Sequence, residues 1–383
     1  MRYSSPLLIC GVLLLAAACG EEPQGPDFEL DSLDTCRPPG TRLASGESLP
    51  YRGAIVWVPG TDLVAYTSWS STGGGCAIKT VDAVSGGTSV VDDDCSSPHG
   101  AIESYLRELV AAPDRSALYY TVGIRDGADV EWVLRAADPA GTDVVTLRSG
   151  VGSALALSPD GRRLAYRVPW DEDSSQSLFA RDLSSGAETR HPNNVGDPIA
   201  FSPDGSELLY AVSDPVSLAI SMHRWSLGSG ADEEVPSPVQ PRAVHWGASG
   251  IEVLAGAAYG PDRLPEYRVY NLTTGGSVQV GLIRRGEGVP YEMFERGYET
   301  WSPDGTLVAY WTARCLGWGG LFDCSEESHS VVVADARRGD RVRAACTAWQ
   351  GGPIAFSPDG TRLVYHSSPS SGGSGNFYVV EVP

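Results

Sequence analysis

Short apolar runs recur along the chain and are separated by turns that are rich in Gly, Pro, Asp and Ser. In one example, the run at 198–201 meets Ser-Pro-Asp-Gly, and a second apolar run follows. Proline presets φ at the first central position of a turn, and glycine accepts the positive φ that closes a tight hairpin. Each such unit therefore predicts two antiparallel strands joined by a hairpin turn. The runs lack the period of an amphipathic helix.

This unit occurs seven times. Four copies contain the full motif, LALSPDGRRLAY, IAFSPDGSELLY, TWSPDGTLVAY and IAFSPDGTRLVY, with marker prolines at Pro159, Pro203, Pro303 and Pro358. Three degenerate copies, VWVPGTDLVAY, LVAAPDRSALYY and VHWGASGIEVLA, have as markers Pro59, Pro113 and Ala248. Successive markers are 54, 46, 44, 45, 55 and 55 residues apart. Six copies have a tyrosine seven residues after the marker: Tyr66, Tyr120, Tyr166, Tyr210, Tyr310 and Tyr365.

A third strand, such as SLFARDL or EYRVYNL, follows each hairpin, and a glycine turn then leads to a short fourth strand. Four strands in each period indicate the blades of a β-propeller. The predicted fold is therefore all-β, a seven-bladed β-propeller of four-stranded antiparallel blades over residues 41–383. The last copy ends after its third strand. We expect residues 41–44 to supply the missing strand of blade seven, so that an N-terminal strand closes the ring.

The SPDG hairpin with its downstream tyrosine resembles the WD40-like (PD40) repeat of TolB-type β-propellers, which also occurs in the propeller of prolyl oligopeptidases. The resemblance covers residues 41–383 and implies a fold more than a function. TolB has an α/β domain before its propeller, and the residues before 41 are too few to form one. TolB is also soluble, whereas this chain is expected to carry a lipid. A role in the Tol system is therefore not implied.

The first residues indicate export. Arg2 precedes an apolar run of about a dozen residues, whereas a bilayer-spanning helix needs about 20, so the run indicates a cleaved signal peptide. The string LLLAAACGEE resembles the lipobox of bacterial lipoproteins. We predict a lipoprotein signal peptide at 1–18, a lipidated tether at 19–40 and lipidation of Cys19; the alternative is an ordinary signal peptide with an incidental cysteine. Gly20 after the cysteine favours transfer to the outer membrane of the cell envelope.

The formal charge of −20 becomes −21 when Arg2 is removed with the signal peptide. Such an acidic surface opposes binding to nucleic acid or to anionic lipid. Acidic clusters at 92–94 and 171–173 lack the spacing of an EF-hand calcium loop. We interpret both clusters as solvated loops, and we expect membrane association through the N-terminal lipid only.

Six cysteines remain after Cys10 leaves with the signal peptide and Cys19 is acylated. An even number in an oxidising compartment favours disulfides, whereas a metal site is a weak alternative because none has C-x-x-C spacing. Alignment of the repeats predicts three pairs: Cys76 with Cys95, Cys324 with Cys346, and Cys36 with Cys315. The alternative joins Cys315 to Cys324 and leaves Cys36 for Cys346.

The sequence predicts no catalytic residue, no cofactor and no metal ligand. No G-x-S-x-G nucleophile elbow is present, and no two histidines have the spacing of H-E-x-x-H. The histidines are scattered along the chain: His99, His191, His223, His245, His329 and His366. Because an aspartate recurs in the same turn of four copies, we interpret it as a turn residue: Asp160, Asp204, Asp304 and Asp359.

Irregular insertions occur in the loops between second and third strands and in the crossovers between blades, which lie on one side of a propeller: 69–76, 95–104, 169–176, 284–297 and 315–328. Loops on a rigid scaffold are the usual functional surface, and aromatic residues and Arg are enriched in interface cores. The partner-binding candidates are Trp69, Trp170, Arg284, Arg285, Tyr291, Phe294, Trp318 and Phe322. Aromatic residues two positions before a marker should instead pack between blades: Trp57, Phe201, Trp246, Trp301 and Phe356.

These observations predict a lipid-anchored binding or scaffolding protein that engages another envelope protein through its loop face. Two alternatives stay open. One is a hydrolase or lyase with its site at the mouth of the central channel, and the other is a glycan-binding propeller that uses the loop tryptophans. A small molecule or a glycan is accordingly a possible ligand.

Overall fold

A computed structural model confirms the seven-bladed β-propeller, and its described residues form strands and turns only. Arg37–Pro383 forms one compact unit. The structure describes residues 40–382 except for 50–52, 70–74, 97–105, 127–128, 153, 169–175, 192–194, 214–219, 238, 240, 248–249, 257–265, 283–291, 295–297, 316–317, 321–322, 325–326, 348–349 and 369–373. The predicted signal peptide, Cys19 and the tether before Gly40 lie outside the described residues, so these domain boundaries stay predictions.

The first four blades each contain four consecutive antiparallel strands. Blade 1 comprises β2 (Ile55–Trp57), β3 (Leu63–Trp69), β4 (Gly75–Asp82) and β5 (Thr88–Ser96). Blade 2 comprises β6 (Leu106–Ala111), β7 (Leu118–Asp126), β8 (Asp129–Ala137) and β9 (Val144–Ser149). Blade 3 comprises β10 (Leu155–Leu157), β11 (Arg163–Val168), β12 (Ser177–Asp182) and β13 (Glu188–His191). Blade 4 comprises β14 (Val195–Phe201), β15 (Glu207–Ser213), β16 (Ile220–Ser226) and β17 (Asp232–Val235).

The last three blades differ in detail. Blade 5 comprises β18 (Ala243–Gly247), β19 (Gly250–Gly256), β20 (Glu266–Asn271) and β21 (Ser277–Leu282). In blade 6 the innermost strand has two parts, and the strands are β22 (Glu292–Phe294), β23 (Thr300–Trp301), β24 (Leu307–Cys315), β27 (Glu327–Asp335) and β28 (Arg341–Thr347). A small separate sheet contains β25 (Trp318–Gly320) and β26 (Asp323–Cys324). Blade 7 comprises β29 (Gln350–Phe356), β30 (Arg362–Ser368), β31 (Ser374–Glu381) and the N-terminal β1 (Thr41–Ser48).

The SPDG turns have the geometry that their residues predict. Asp204 accepts hydrogen bonds from the Ser202 hydroxyl at 2.7 Å and from the Ser206 backbone N–H at 3.0 Å. These hydrogen bonds, with the Ser202 hydroxyl contributing most, lower the pKa of Asp204 to about 2. Gly205 has a φ of 70°, where a side chain would be strained. The same serine–aspartate contact is present in the other three full copies, at Asp160, Asp304 and Asp359.

The aromatic residues of the innermost strands pack between blades, as predicted. Trp57 of blade 1 is 2% exposed, and its indole N–H donates to the Ala355 carbonyl of blade 7 at 3.2 Å. Phe201 and Phe356 are buried as well. The remaining two, Trp246 and Trp301, are half-buried against neighbouring core clusters.

The repeat tyrosines also lie between blades, and all six are fully buried. The Tyr120 hydroxyl donates to Asp92 on the outer strand of blade 1 at 2.6 Å, and the Tyr310 hydroxyl donates to the Val280 carbonyl on the outer strand of blade 5. A buried hydroxyl needs a hydrogen-bond partner. In these two copies the tyrosine links its blade to the outer strand of the preceding blade. In blades 3 and 4 the hydroxyls of Tyr166 and Tyr210 donate instead to Glu188 and Asp232 on the outer strands of their own blades.

The ring closes through β1, which confirms the predicted N-terminal closing strand. β1 pairs antiparallel with β31 from Thr41 opposite Val379 to Ser48 opposite Ser374, with two irregularities in the register. The strand is longer than residues 41–44, which were predicted to close the ring. Buried Leu43 lies in one core cluster with residues of blades 7 and 1, so the strand packs as well as pairs.

Candidate functional site

The order of the strands gives the propeller two different faces. The SPDG turns and the turns between third and fourth strands lie on one side, here called the SPDG face. The loops between second and third strands lie on the other side together with the crossovers to the next blade, and this side is the crossover face. The insertions predicted to bind a partner all belong to the crossover face.

Among the described residues, two hairpins stay paired farther toward the crossover face than the equivalent strands of the other blades. In blade 2, β7 and β8 have nine residues each and stay paired to Asp126 opposite Asp129. In blade 6, β24 and β27 also have nine residues each and stay paired to Cys315 opposite Glu327. The equivalent strands of blade 3 have six residues each. At about 3.3 Å per residue, the additional residues extend these hairpins by roughly 7–10 Å.

Blade 6 adds further structure to this extension. β22 pairs with the end of β24, with Phe294 opposite Thr312, and Trp318 lies in β25, opposite Cys324 in β26. The insertions at 284–297 and 315–328, which were interpreted as irregular loops, thus contain short strands. Part of the predicted loop surface is therefore held by backbone hydrogen bonds.

Trp69 lies at the crossover end of β3, where its backbone pairs with Ser48 of β1 and with Cys76 of β4. The structure thus places the backbones of three candidates, Trp69, Phe294 and Trp318, at strand ends on the crossover face. The other five candidates lie outside the described residues: Trp170, Arg284, Arg285, Tyr291 and Phe322.

Polar contacts fix the joint between blades 7 and 1, which lies between the two long hairpins in the order of the ring. The Glu47 carboxylate accepts hydrogen bonds from the Ser68 hydroxyl and from the Lys79 ammonium, both at 3.0 Å. The His366 Nε2 lies 3.2 Å from the Glu47 carbonyl. Burial, followed by the charge of Glu47, raises the pKa of Tyr66 beside them. These contacts come from three strands of two blades, so they give the crossover face a fixed base.

The acidic cluster at Asp92, Asp93 and Asp94 was predicted to be a solvated loop, and this prediction was wrong, because the cluster lies in strand β5. Asp92 is 8% exposed and accepts a hydrogen bond from the Arg135 guanidinium of blade 2 at 2.8 Å. Arg135 also contacts the Asp94 carboxylate at 2.8 Å. A buried carboxylate requires such a partner, so Asp92 and Arg135 form an ion pair between blades.

The five described histidines lie in strands of five different blades: His191, His223, His245, His329 and His366. In the joint between blades 3 and 4, Asp232 lies 3.2 Å from the His223 Nδ1 and 3.7 Å from the His191 Nε2. Burial lowers the pKa of His191, and the charge of Asp232 opposes this effect. Burial also lowers the pKa of His245. These imidazoles take part in packing within and between blades.

Within the described ranges, no three His, Cys, Asp or Glu side chains lie close enough together to hold a metal ion. No helix in the described part of the chain is long and apolar enough to cross a bilayer.

Comparison with known proteins supports the fold. No family model and no curated protein matches the sequence. An oligogalacturonate lyase from Vibrio parahaemolyticus is similar in structure, with a TM-score of 0.59 and 11% identity over 89% of this chain and 93% of that one. An oligogalacturonate lyase in complex with manganese has a TM-score of 0.56 and 15% identity over 89% and 92%. TolB from Acinetobacter baumannii has a TM-score of 0.49 and 14% identity over 76% and 67%. Propellers that include TolB proteins are therefore similar to this chain, as the SPDG repeat predicted, and the likeness is one of fold.

Proposed function

We propose that this protein is a lipid-anchored binding protein of the bacterial cell envelope that engages a protein partner through its crossover face. The observation that carries this proposal is the extension of two hairpins, in blades 2 and 6, on the face that also contains the insertions. A flat propeller has no need of such projections for its own stability. Projections on one face of a rigid scaffold are typical of binding surfaces.

The positions of the histidines favour binding over chemistry. General acid–base catalysis needs titratable side chains that converge on a reacting group. Here His191 and His223 meet at the carboxylate of Asp232, but His191 is buried against Tyr210 and Trp225. His366 is buried as well. Oligogalacturonate lyases share the fold at low identity. A lyase site at the channel mouth would therefore have to draw on other side chains.

Two predicted disulfides would brace the crossover face. Cys76 lies opposite Cys95 in the register of β4 and β5, which supports their pairing because cysteines that face each other on neighbouring strands can be bridged. The pairing of Cys324 with Cys346, and of Cys36 with Cys315, stays a prediction beside its alternative. Cys36 lies outside the described residues.

The lipid anchor predicts the behaviour of Cys19→Ala. The substituted chain should appear in the soluble fraction of the envelope and should not incorporate a labelled fatty acid, because the acylated thiol is absent. Fractionation and metabolic labelling measure both properties, and Cys10→Ala is the matched control because that cysteine leaves with the signal peptide. A Cys19→Ala protein that stays membrane-bound and labelled contradicts the anchor.

The partner face predicts where the protein crosslinks. A photoreactive p-benzoylphenylalanine at Trp318 or at Phe294 should give discrete crosslinked products when intact envelopes are irradiated. The same residue at Arg162, in an SPDG turn with a side chain that is 81% exposed, should give none. Immunoblotting measures the products, and mass spectrometry identifies the protein joined to them. Crosslinks confined to Arg162, or none from any position after saturating irradiation, contradict the proposal.

A further inference from the structure

Four valines are the exposed large apolar side chains of the described residues: Val84, Val90, Val144 and Val145, with exposed fractions of 76%, 52%, 40% and 54%. Val84 lies in the turn between β4 and β5, Val90 lies in β5, and the other two begin β9. All four belong to the outer rim of blades 1 and 2, away from the crossover face. We call them the valine edge.

The two halves of the valine edge adjoin each other. The turn that precedes β9 packs onto β5, because a Cβ atom placed on Gly141 would lie 3.0 Å from the Val90 carbonyl oxygen and 2.7 Å from that of Val91. Val144 follows this turn three residues later. The exposed valines of the two blades therefore form one surface.

The backbone beside the valine edge is open on one side. β5 and β9 are each the last strand of their blades. The turn before β9 covers the β5 backbone at Val90 and Val91, whereas the outward N–H and C=O groups of β9 have no neighbouring strand within the described sheets. Exposed edges are normally protected by charged side chains. The edge strands of blades 3, 4 and 6 follow this rule, with charged residues in β13, β17 and β28.

β5 and β9 also contain charged residues, Asp92–Asp94 and Arg148, but the exposed valines lie in the uncharged stretches TSVV and VVTL that begin these strands. β21 of blade 5 is uncharged too, but its Val278 is half-buried and its Val280 is buried. Blades 1 and 2 therefore combine an open backbone edge with exposed β-branched side chains. An extended peptide adds to such an edge as an extra strand, and alternate side chains then supply the specificity.

The charges around the valine edge indicate which kind of ligand can bind there. Asp93 and Asp143 are exposed next to it, whereas the Asp94 carboxylate is paired with Arg135. A second copy of this chain would bring carboxylates against carboxylates, and an anionic lipid surface would meet the same repulsion. A cationic segment would be attracted instead. We propose that the valine edge binds an extended apolar segment of a partner protein that has Lys or Arg at its ends, by strand addition to β9.

Fluorescent peptides test this proposal on the purified protein. Lys-Val-Thr-Val-Thr-Val-Lys should bind, and Glu-Val-Thr-Val-Thr-Val-Glu should bind at least about tenfold more weakly. Val90→Lys and Val145→Lys place a charge on the edge and should each weaken the basic peptide about tenfold. Thr189→Lys is the matched control, because it adds the same charge to an exposed position of β13 and should leave the affinity unchanged. Hydrogen exchange should show additional amide protection confined to β9.

Several results overturn the proposal. One is equal binding of the acidic and basic peptides, and another is equal binding to Val145→Lys and to the unsubstituted protein. Protection at other strands excludes the site, as does the absence of binding. If the protein formed a dimer that Val145→Lys dissociated, the valine edge would be a dimer interface. If the protein bound vesicles of anionic lipid and Val145→Lys abolished that binding, the edge would be a lipid-binding surface. None of these outcomes depends on the crosslinking that tests the crossover face.

Discussion

Trp311→Ala is expected to lower the free energy of unfolding by about 4 kcal/mol, in the range for truncation of a buried Trp. Trp311 has no exposed surface, and its ring lies edge-on to Tyr365 with 5.5 Å between centroids. Its indole N–H donates to the Gly352 carbonyl of blade 7 at 2.7 Å. The substitution therefore leaves a cavity between blades 6 and 7 together with a buried carbonyl that has lost this donor. Urea denaturation measures the decrease in the free energy of unfolding.

Trp311→Phe is the matched control. It keeps most of the apolar volume and removes the N–H donor, so it should lower the free energy of unfolding by about 1–3 kcal/mol, the cost of leaving a buried acceptor unsatisfied. If Trp311→Ala lowered the free energy of unfolding no more than Trp311→Phe does, packing of the Trp311 ring would not contribute to the stability of the joint with blade 7. Blade 7 is bound in the same way from its other side, where Trp57 donates to Ala355.

His366 is expected to make the propeller sensitive to acid. The side chain is 3% exposed between blade 7 and β1, and burial lowers its pKa to about 4 in spite of the Glu47 carbonyl and carboxylate, which oppose the shift. The unfolded chain binds the proton near the ordinary pKa of about 6.5. Stability is therefore fully present above about pH 6.5 and is lost as the pH falls toward about 4. The loss amounts to about 3 kcal/mol, at 1.36 kcal/mol per pKa unit.

His366→Gln isolates this contribution, because the amide can still donate to the Glu47 carbonyl but does not titrate. The aspartates of the turns titrate in both proteins, so their effect cancels in the difference between the two. The free energy of unfolding, measured by urea denaturation from pH 4 to pH 7.5, should fall more steeply for the unsubstituted protein below pH 6.5. Parallel curves would contradict the assignment to His366.

Local chemistry explains which parts of the fold could be predicted. The SPDG turn is determined by four adjacent residues, and Gly205 adopts the predicted positive φ, while the hydrogen bond from Ser202 to Asp204 is a finding of the structure. The closing strand followed from counting strands in the last copy. Both inferences needed only neighbouring residues and the repeat period.

Contacts between blades could not be predicted from the same information. Asp92 looked like part of a solvated acidic run, yet its partner Arg135 is 43 residues away on the next blade. Tyr120 and Tyr310 raise the same difficulty, since the outer strand of the preceding blade supplies the acceptors of their hydroxyl groups. The candidate site is harder still to predict, because Trp69, Phe294 and Trp318 lie in three different insertions, and their sequence positions do not indicate how far apart they lie.

The closing strand has a consequence for the order of folding. β1 is the first strand of the propeller to be synthesised and β31 is the last, and the contact between Glu47 and His366 spans 319 residues. Closing a loop of that length costs about 5 kcal/mol of chain entropy, and this cost is recovered only when both ends are in place. Until the final strand of the propeller is synthesised, β1 lacks its partner β31 and presents an edge that can associate with other chains. Loss of the last few residues would keep it in that state, so quality control of this protein can act on its C-terminus.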